Sequence, residues 1–197
     1  MRGSPSLALR HAASEQLRPF LPVLLLCMTV VLFGAIVTGH RADPRISKAL
    51  SKDSVSFWLD LDPSYVDVEA IRGPDGERAL EVEAGRGRTY FTFLQHDFKR
   101  PLDLQTRPYV LLNFRGTGSG RTFQFFVDFD QDSSAFALYE FKDDRPGWRA
   151  IPFIRVAPDA LKGTPDWTKV TRFRLGATDK QARKFAVGAT YLADPSS

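Results

Sequence analysis

The sequence predicts an all-β domain, a sandwich of two antiparallel sheets, preceded by one N-terminal transmembrane helix. Three observations carry this. From Val55 onward apolar residues recur with a period of two, turn-forming clusters interrupt them at short intervals, and the long uncharged run lies ahead of that region, at Phe20–Thr38. Alternation sends successive side chains to opposite faces of an extended chain, so it marks strands with one buried and one wet face.

The N-terminal run comes first. Its 19 residues carry no charge, and as a helix they reach about 28 Å, enough to cross a bilayer core. Pro22 falls in the first turn, where its missing N–H costs little. The predicted organisation is a short basic tail at 1–19, a membrane-spanning signal anchor at 20–39, a polar tether at 40–54 and a β domain at 55–193. A cleaved signal peptide is the competing reading, although the run exceeds the usual 7–15 apolar residues and Val37-Thr38-Gly39 is a mediocre cleavage site. Arginines and lysines flank both sides, so charge alone leaves the orientation open. The short basic tail before a signal-like stretch favours a C-terminal domain outside the cytoplasm, on a single-pass cell-membrane protein. Cys27, the only cysteine, lies inside the apolar run. The chain therefore has no intramolecular disulfide and no multi-cysteine metal site.

Composition narrows the rest. Phenylalanine occurs 16 times among 197 residues, which suits a packed core rather than a disordered chain. The net charge of +4 falls to about +2 once the N-terminal tail is set aside, with Lys and Arg scattered among Asp and Glu. No basic stripe points to nucleic acid.

The strands follow in order. They are expected near 55–60, 65–72, 79–84, 88–95, 108–115, 121–129, 135–142, 148–153, 169–175 and 184–192. Val110, Leu112 and Phe114 oppose Tyr109, Asn113 and Arg115. Phe123, Phe125, Val127 and Phe129 oppose Thr122, Gln124, Phe126 and Asp128. Phe173 and Leu175 oppose Arg172 and Arg174, and Phe185, Val187 and Tyr191 oppose Ala186, Gly188 and Thr190. Turn chemistry separates the runs at Gly73-Pro74-Asp75-Gly76, Gly85–Gly87, Gly116–Gly120, Asp130–Ser134 and Asp143–Gly147. Ile46–Leu50 and Ala157–Lys162 are each expected to form one helical turn. Many short strands with regular turns indicate a two-sheet sandwich, with a closed barrel as the alternative.

The order of segments resembles the galactose-binding-like jelly-roll sandwich in the form used by carbohydrate-binding modules. GPDGERALEVEA precedes a strand ending at Phe98, then Pro108–Arg115, two long paired strands, GWRAIPF, WTKVTRFRLGA and a closing KFAVGATYL. Gly147-Trp148 before Ile151-Pro152-Phe153, and Val170–Leu175, match its pattern. The resemblance implies a jelly roll over about residues 55–193 and a sugar ligand by analogy. Gly188 and Ala189 stand where the family has an acidic pair that helps hold a structural calcium, so that ion is not implied here.

Candidate chemistry is sparse. His96-Asp97 lacks a nucleophile-elbow pattern and reads as a surface or turn residue. Asp60/Asp62 and Glu81/Glu83 each share a strand face and read as solvated pairs, not glycosidase carboxyls. Asp128, Asp130 and Asp132 offer three hard oxygen ligands at a turn, the best Ca²⁺ candidate, although Ser133 and Tyr139 break the helix–loop–helix calcium pattern. Sugar binding needs aromatic faces beside planar polar groups. Were strands 109–115, 121–129 and 169–175 to share a sheet, Asn113, Arg115, Gln124, Phe126, Arg172 and Arg174 would line one groove, flanked by Tyr139 and Trp148. The bland alternative is a wet face on which arginine stems cover Phe126. The sequence thus predicts a non-catalytic, membrane-anchored, extracytoplasmic domain without a required cofactor, binding a glycan or cell-envelope polysaccharide. The alternative is an assembly subunit docking onto an envelope protein with no sugar ligand.

Overall fold

Alternation becomes two antiparallel sheets in the computed structural model, which describes residues 44–60, 66–85, 92–177, 181 and 183–195. The first sheet holds β3 (Val66–Arg72), β4 (Arg78–Ala84), β12 (Arg183–Pro195), β6 (Tyr109–Thr117) and β9 (Pro146–Ile154) in that order, and β1 (Pro44–Ser51) also pairs with β12. The second holds β10 (Ala160–Lys162), β8 (Phe136–Lys142), β7 (Thr122–Asp128), β11 (Val170–Gly176), β5 (Leu94–Leu102) and β2 (Leu59–Asp60). All the described strand pairs are antiparallel. The two sheets are separate, so the architecture is the sandwich and not the barrel.

Phenylalanines join the layers. Phe114 of β6 meets Phe123 of β7 at 5.0 Å between ring centres, and Phe125 of β7 stacks on Phe153 of β9 at 4.0 Å. Phe185 of β12 closes on both Phe114 and Phe123. Of these inward rings, Phe114, Phe123, Phe125 and Phe185 are the ones that the period of two selects, and each buried ring contributes about 2–3 kcal/mol.

Several expectations need correction. Residues 44–51, expected within the tether, form β1, whose Ala49 pairs with Tyr191 and Ile46 with Ala193. A polar sequence serves here because β1 is an edge strand with Ile46 and Lys48 exposed. The strand expected at 55–60 begins instead as one helical turn, α1 (Ser54–Phe57), because the Asp53 carboxylate accepts from Val55 N (3.1 Å) and Ser56 N (3.3 Å) as an N-cap. Ala157–Lys162 forms no helical turn but the short strand β10, paired to β8. Of the strand expected at 88–95, only Leu94 and Gln95 are strand among the described residues, as the start of β5, which runs on to Leu102 beyond the expected end; residues 86–91 lie outside the described residues. The predicted tail and membrane-spanning segment, 1–39, also lie outside them. Among the described residues no helix is long and apolar enough to cross a membrane.

Candidate functional site

The predicted groove is divided between two faces. Asn113 and Arg115 sit on β6 in the first sheet, whereas Gln124, Phe126, Arg172 and Arg174 sit on β7 and β11 in the second. Both sets point outward, so the sandwich core separates them. Tyr139 does not flank either face: it is 5% exposed and packs against Phe125 and Phe153 in the core. Desolvation there raises its phenol above the ordinary range.

The face of the second sheet is closed by its own side chains. Arg174 donates to both oxygens of Asp128, at 2.7 Å each, and its guanidinium lies over the Phe126 ring at 4.4 Å. Asp128 is fully buried, Ser133 Oγ donates to it at 3.1 Å, and Arg172 reaches Asp97 at 2.5 Å. Gln124 is 5% exposed and donates to Glu140 at 2.8 Å. Phe126 is thus covered by an arginine stem and head, as the bland alternative describes.

The acidic turn does not fit a calcium ion. Asp128 is turned to Arg174, whose positive charge already balances it. Asp130 accepts from Ser134 N, Ser134 Oγ and Ala135 N, and Asp132 from Ser134 N. The three carboxylates shape a turn in which Ser133 takes φ 58°, and among the described residues no group of His, Cys, Asp or Glu gathers as a metal site. His96 is half-buried rather than solvent-facing. Its ring stacks on Phe57 at 3.7 Å with Nδ1 2.7 Å from Phe57 O. Burial pushes its pKa down, against the Phe57 carbonyl and Asp97. Asp60 and Asp62 offer no described side chains. Glu81 and Glu83 share Lys184, at 2.9 and 3.7 Å.

The outer face of the first sheet is chemically mixed, with Asn113, Arg115 and Trp148 half-buried above a buried central strand. Strand register lays Glu69, Glu81, Ala186, Arg115 and Trp148 in one row across β3, β4, β12, β6 and β9. The next rows hold Asn113 beside Ala150, then Ala49, Tyr191, Leu111 and Pro152. Arg115 pairs with Glu81 and stands 5.5 Å from the half-buried Trp148 ring. The middle strand contributes small residues, Ala186, Gly188, Ala189 and Ala193, which form a floor buried beneath the side chains of its neighbours.

Gly188 organises this floor. It sits where β12 breaks register between Val187 and Thr190. A Cβ there would meet Glu77 Oε1 at 2.9 Å, Asn113 Cβ at 3.0 Å and Trp148 Cζ3 at 3.3 Å. The absent side chain therefore lets the tryptophan, the asparagine and a carboxylate converge. Ser54 Oγ anchors the irregularity from the core side by donating to Gly188 O at 2.5 Å, and Glu77 Oε1 accepts from Ala189 N at 3.4 Å on the outer side. Sequence reasoning found Asn113, Arg115 and Trp148, read Glu81 only as a solvated partner of Glu83, and missed Glu77; Tyr191, expected on the face of Phe185 and Val187, lies on the other one because β12 breaks register between Val187 and Thr190. The one available signal was Gly188-Ala189 in place of the expected acidic pair. Chemically the face offers an aromatic plane, an amide, a guanidinium and carboxylates, a set that matches the C–H and O–H groups of a pyranose.

No protein-family model matches the chain, and none of the curated proteins matches it in sequence. Solved structures do. A family 11 carbohydrate-binding module from Clostridium thermocellum, in complex with a β-1,3-1,4-mixed-linked tetrasaccharide, superposes with a TM-score of 0.58 at 15% identity, over 74% of this chain and 94% of that one. The family 11 module of the cellulosomal cellulase Lic26A-Cel5E of Clostridium thermocellum gives 0.55 at 12% identity, over 79% and 97%. A Clostridium thermocellum xylanase 10B fragment with CBM22-1 and GH10 modules, complexed with xylohexaose, gives 0.51 at 14% identity, over 78% and 29%. The fold is therefore a jelly-roll β-sandwich of the carbohydrate-binding-module kind. At these identities the likeness defines the fold and leaves function to the site.

Proposed function

We propose that this chain is a non-catalytic, membrane-anchored, extracytoplasmic domain that binds a glycan or cell-envelope polysaccharide on the outer face of its first sheet. The observation that carries this reading is the convergence of Trp148, Asn113, Arg115 and Glu77 around Gly188 on the outer face of a carbohydrate-binding-module fold. The similar modules in complex with a tetrasaccharide and with xylohexaose support a sugar as ligand class. A binding role suits the electrostatics: Glu81 is tied to Arg115 and Lys184, so it is not held as a free acid or base across a cleft. Anchoring rests on the uncharged run Phe20–Thr38 and the basic tail before it.

The test uses the full chain in a detergent without a sugar headgroup, probed on a polysaccharide array. Trp148→Ala is expected to weaken binding about tenfold or more, as loss of a central aromatic anchor does, with unfolding temperature unchanged. Binding that survives this substitution intact sinks the assignment. For the anchor, the chain is expected to stay in the membrane pellet after alkaline carbonate extraction, with a mass that includes residues 1–39. A mature start near His40 would show cleavage instead. Exposed Val156 (72%) and Leu161 (53%) favour a second reading, an assembly subunit with no sugar ligand. A partner that co-purifies with the full chain and is lost on Val156→Asp plus Leu161→Asp would support it.

A further inference from the structure

Beside the aromatic platform lies a cleft of ≈ 710 Å³ between β1 and the turn joining β3 to β4. Register explains it. β4 pairs with β12 at residues 183–187 and β1 pairs with the same edge of β12 at 190–195, so the two strands approach end to end with a gap between them. Tyr191 lies at the floor, opposite Ala49. One rim, from β1 and the residue after it, carries Lys48 and Lys52. The other, from the turn, carries Asp75 and Glu77.

Two details make this more than a gap. First, the Glu77 carboxylate is fixed. Its Oε2 accepts from Asp75 N at 2.8 Å, and it fits where Gly73 and Gly188 have no side chain, since a Cβ at Gly73 would lie 2.3 Å from Glu77 Cδ. Secondly, the ammonium groups and carboxylates on the two rims form no ion pair with one another among the described residues, although they line one cleft. Opposite charges held apart across an aromatic floor leave a position for a ligand that carries both signs, each facing its complement.

We propose that this cleft is a subsite for a zwitterionic sugar, one with an ammonium directed to Asp75 and Glu77 and a carboxylate directed to Lys48 and Lys52, its ring over Tyr191. The inference rests on the glycan-binding reading and adds the ligand's charge pattern. It also gives β1 a role in recognition.

Four monosaccharide probes separate the contributions: muramic acid (ammonium and carboxylate), N-acetylmuramic acid (carboxylate only), glucosamine (ammonium only) and glucose. Binding is followed on the full chain by amide chemical shifts of Ala49 and Tyr191. Muramic acid is expected to bind about tenfold tighter than each of the others, the equivalent of about 1.4 kcal/mol. Lys48→Ala plus Lys52→Ala should reduce muramic acid to the level of glucosamine, and Glu77→Gln should reduce it to the level of N-acetylmuramic acid. Both sets are expected to fold, since the lysines are exposed and the glutamine is isosteric. Equal affinity for all four probes, or no shift at Tyr191 with any, overturns the subsite. If the polysaccharide array stays blank while muramic acid binds in a lysine-dependent manner, the glycan platform fails and the subsite stands.

Discussion

At the scale of single residues, two buried carboxylates are heavily hydrogen-bonded, and neither lies on the proposed sugar face. Asp143 is 1% exposed, and its oxygens accept from Thr117 N and Oγ1 (3.1 Å each), Gly118 N (3.0 Å), and Ser119 N and Oγ (3.0 and 2.7 Å). Burial alone would raise its pKa. The donors from Ser119, Gly118 and Thr117 outweigh it and hold the carboxyl at about 2. A folded pKa below the unfolded one favours the native state above the unfolded value, near pH 4, and that stabilisation disappears as pH falls through about 2. Acid titration should show wild-type stability declining across this window, and Asp143→Asn should flatten that decline while lowering stability at pH 7 by about 2–3 kcal/mol. Gly116 is bound to the same feature, since a Cβ there would lie 1.8 Å from Asp143 Oδ1. Asp128 is the second case. Arg174→Ala strips the bidentate partner from a fully buried carboxylate, so chemical denaturation should show a loss of about 3–5 kcal/mol. Sugar affinity should be unaffected, because Arg174 lies on the opposite sheet from Trp148. A weakened sugar affinity in a folded Arg174→Ala chain would return the ligand face to the second sheet.

At the scale of elements, β1 and the irregular centre of β12 decide how the site is built. β1 covers the edge of β12 from Thr190 to Pro195, and its removal would leave that edge unpaired, an aggregation-prone arrangement. A chain starting at residue 52 should unfold at a lower temperature than one starting at residue 43 and should self-associate more readily, as read by scanning calorimetry and light scattering. Equal unfolding temperatures would mean that β1 is dispensable to the fold. In β12 the register break at Gly188 brings Trp148 and Glu77 together. Gly188→Ala should therefore weaken sugar binding by moving the Trp148 ring and the Glu77 carboxylate, with a stability loss of only about 1 kcal/mol, typical of a modest overpacking. A change in tryptophan emission that Gly188→Ala causes in the wild-type background and not in a Trp148→Phe background reports the ring displacement.

At the scale of the whole molecule, a large share of the architecture was readable in advance. The inward set Phe114, Phe123, Phe125, Phe173 and Phe185 follows from a period of two, and all five are buried at or near 0%. Strands β6 to β9, β11 and β12 fall where alternation and turn residues set them. Local pattern failed where the chain carries no alternation: β1 has a polar, exposed face, and α1 depends on one capping aspartate. The site was half legible. The sequence identified Asn113 and Arg115 as outward-facing, because parity along a strand is a local property, and named Trp148 as a flank. It could not say that β6 belongs to one sheet and β7 and β11 to the other, because pairing partners are chosen by contacts distant in sequence. Glu77 was hidden for the same reason: it meets Ala189 at a sequence separation of 112, through a turn that reads only as a turn. What the sequence determined by itself was the side to which residues point along an unbroken strand, since the pleat of an extended backbone imposes it; past the register break in β12 that parity fails, as at Tyr191. What the tertiary structure alone decided was which outward-pointing residues share a surface, since that depends on the order in which strands assemble into sheets.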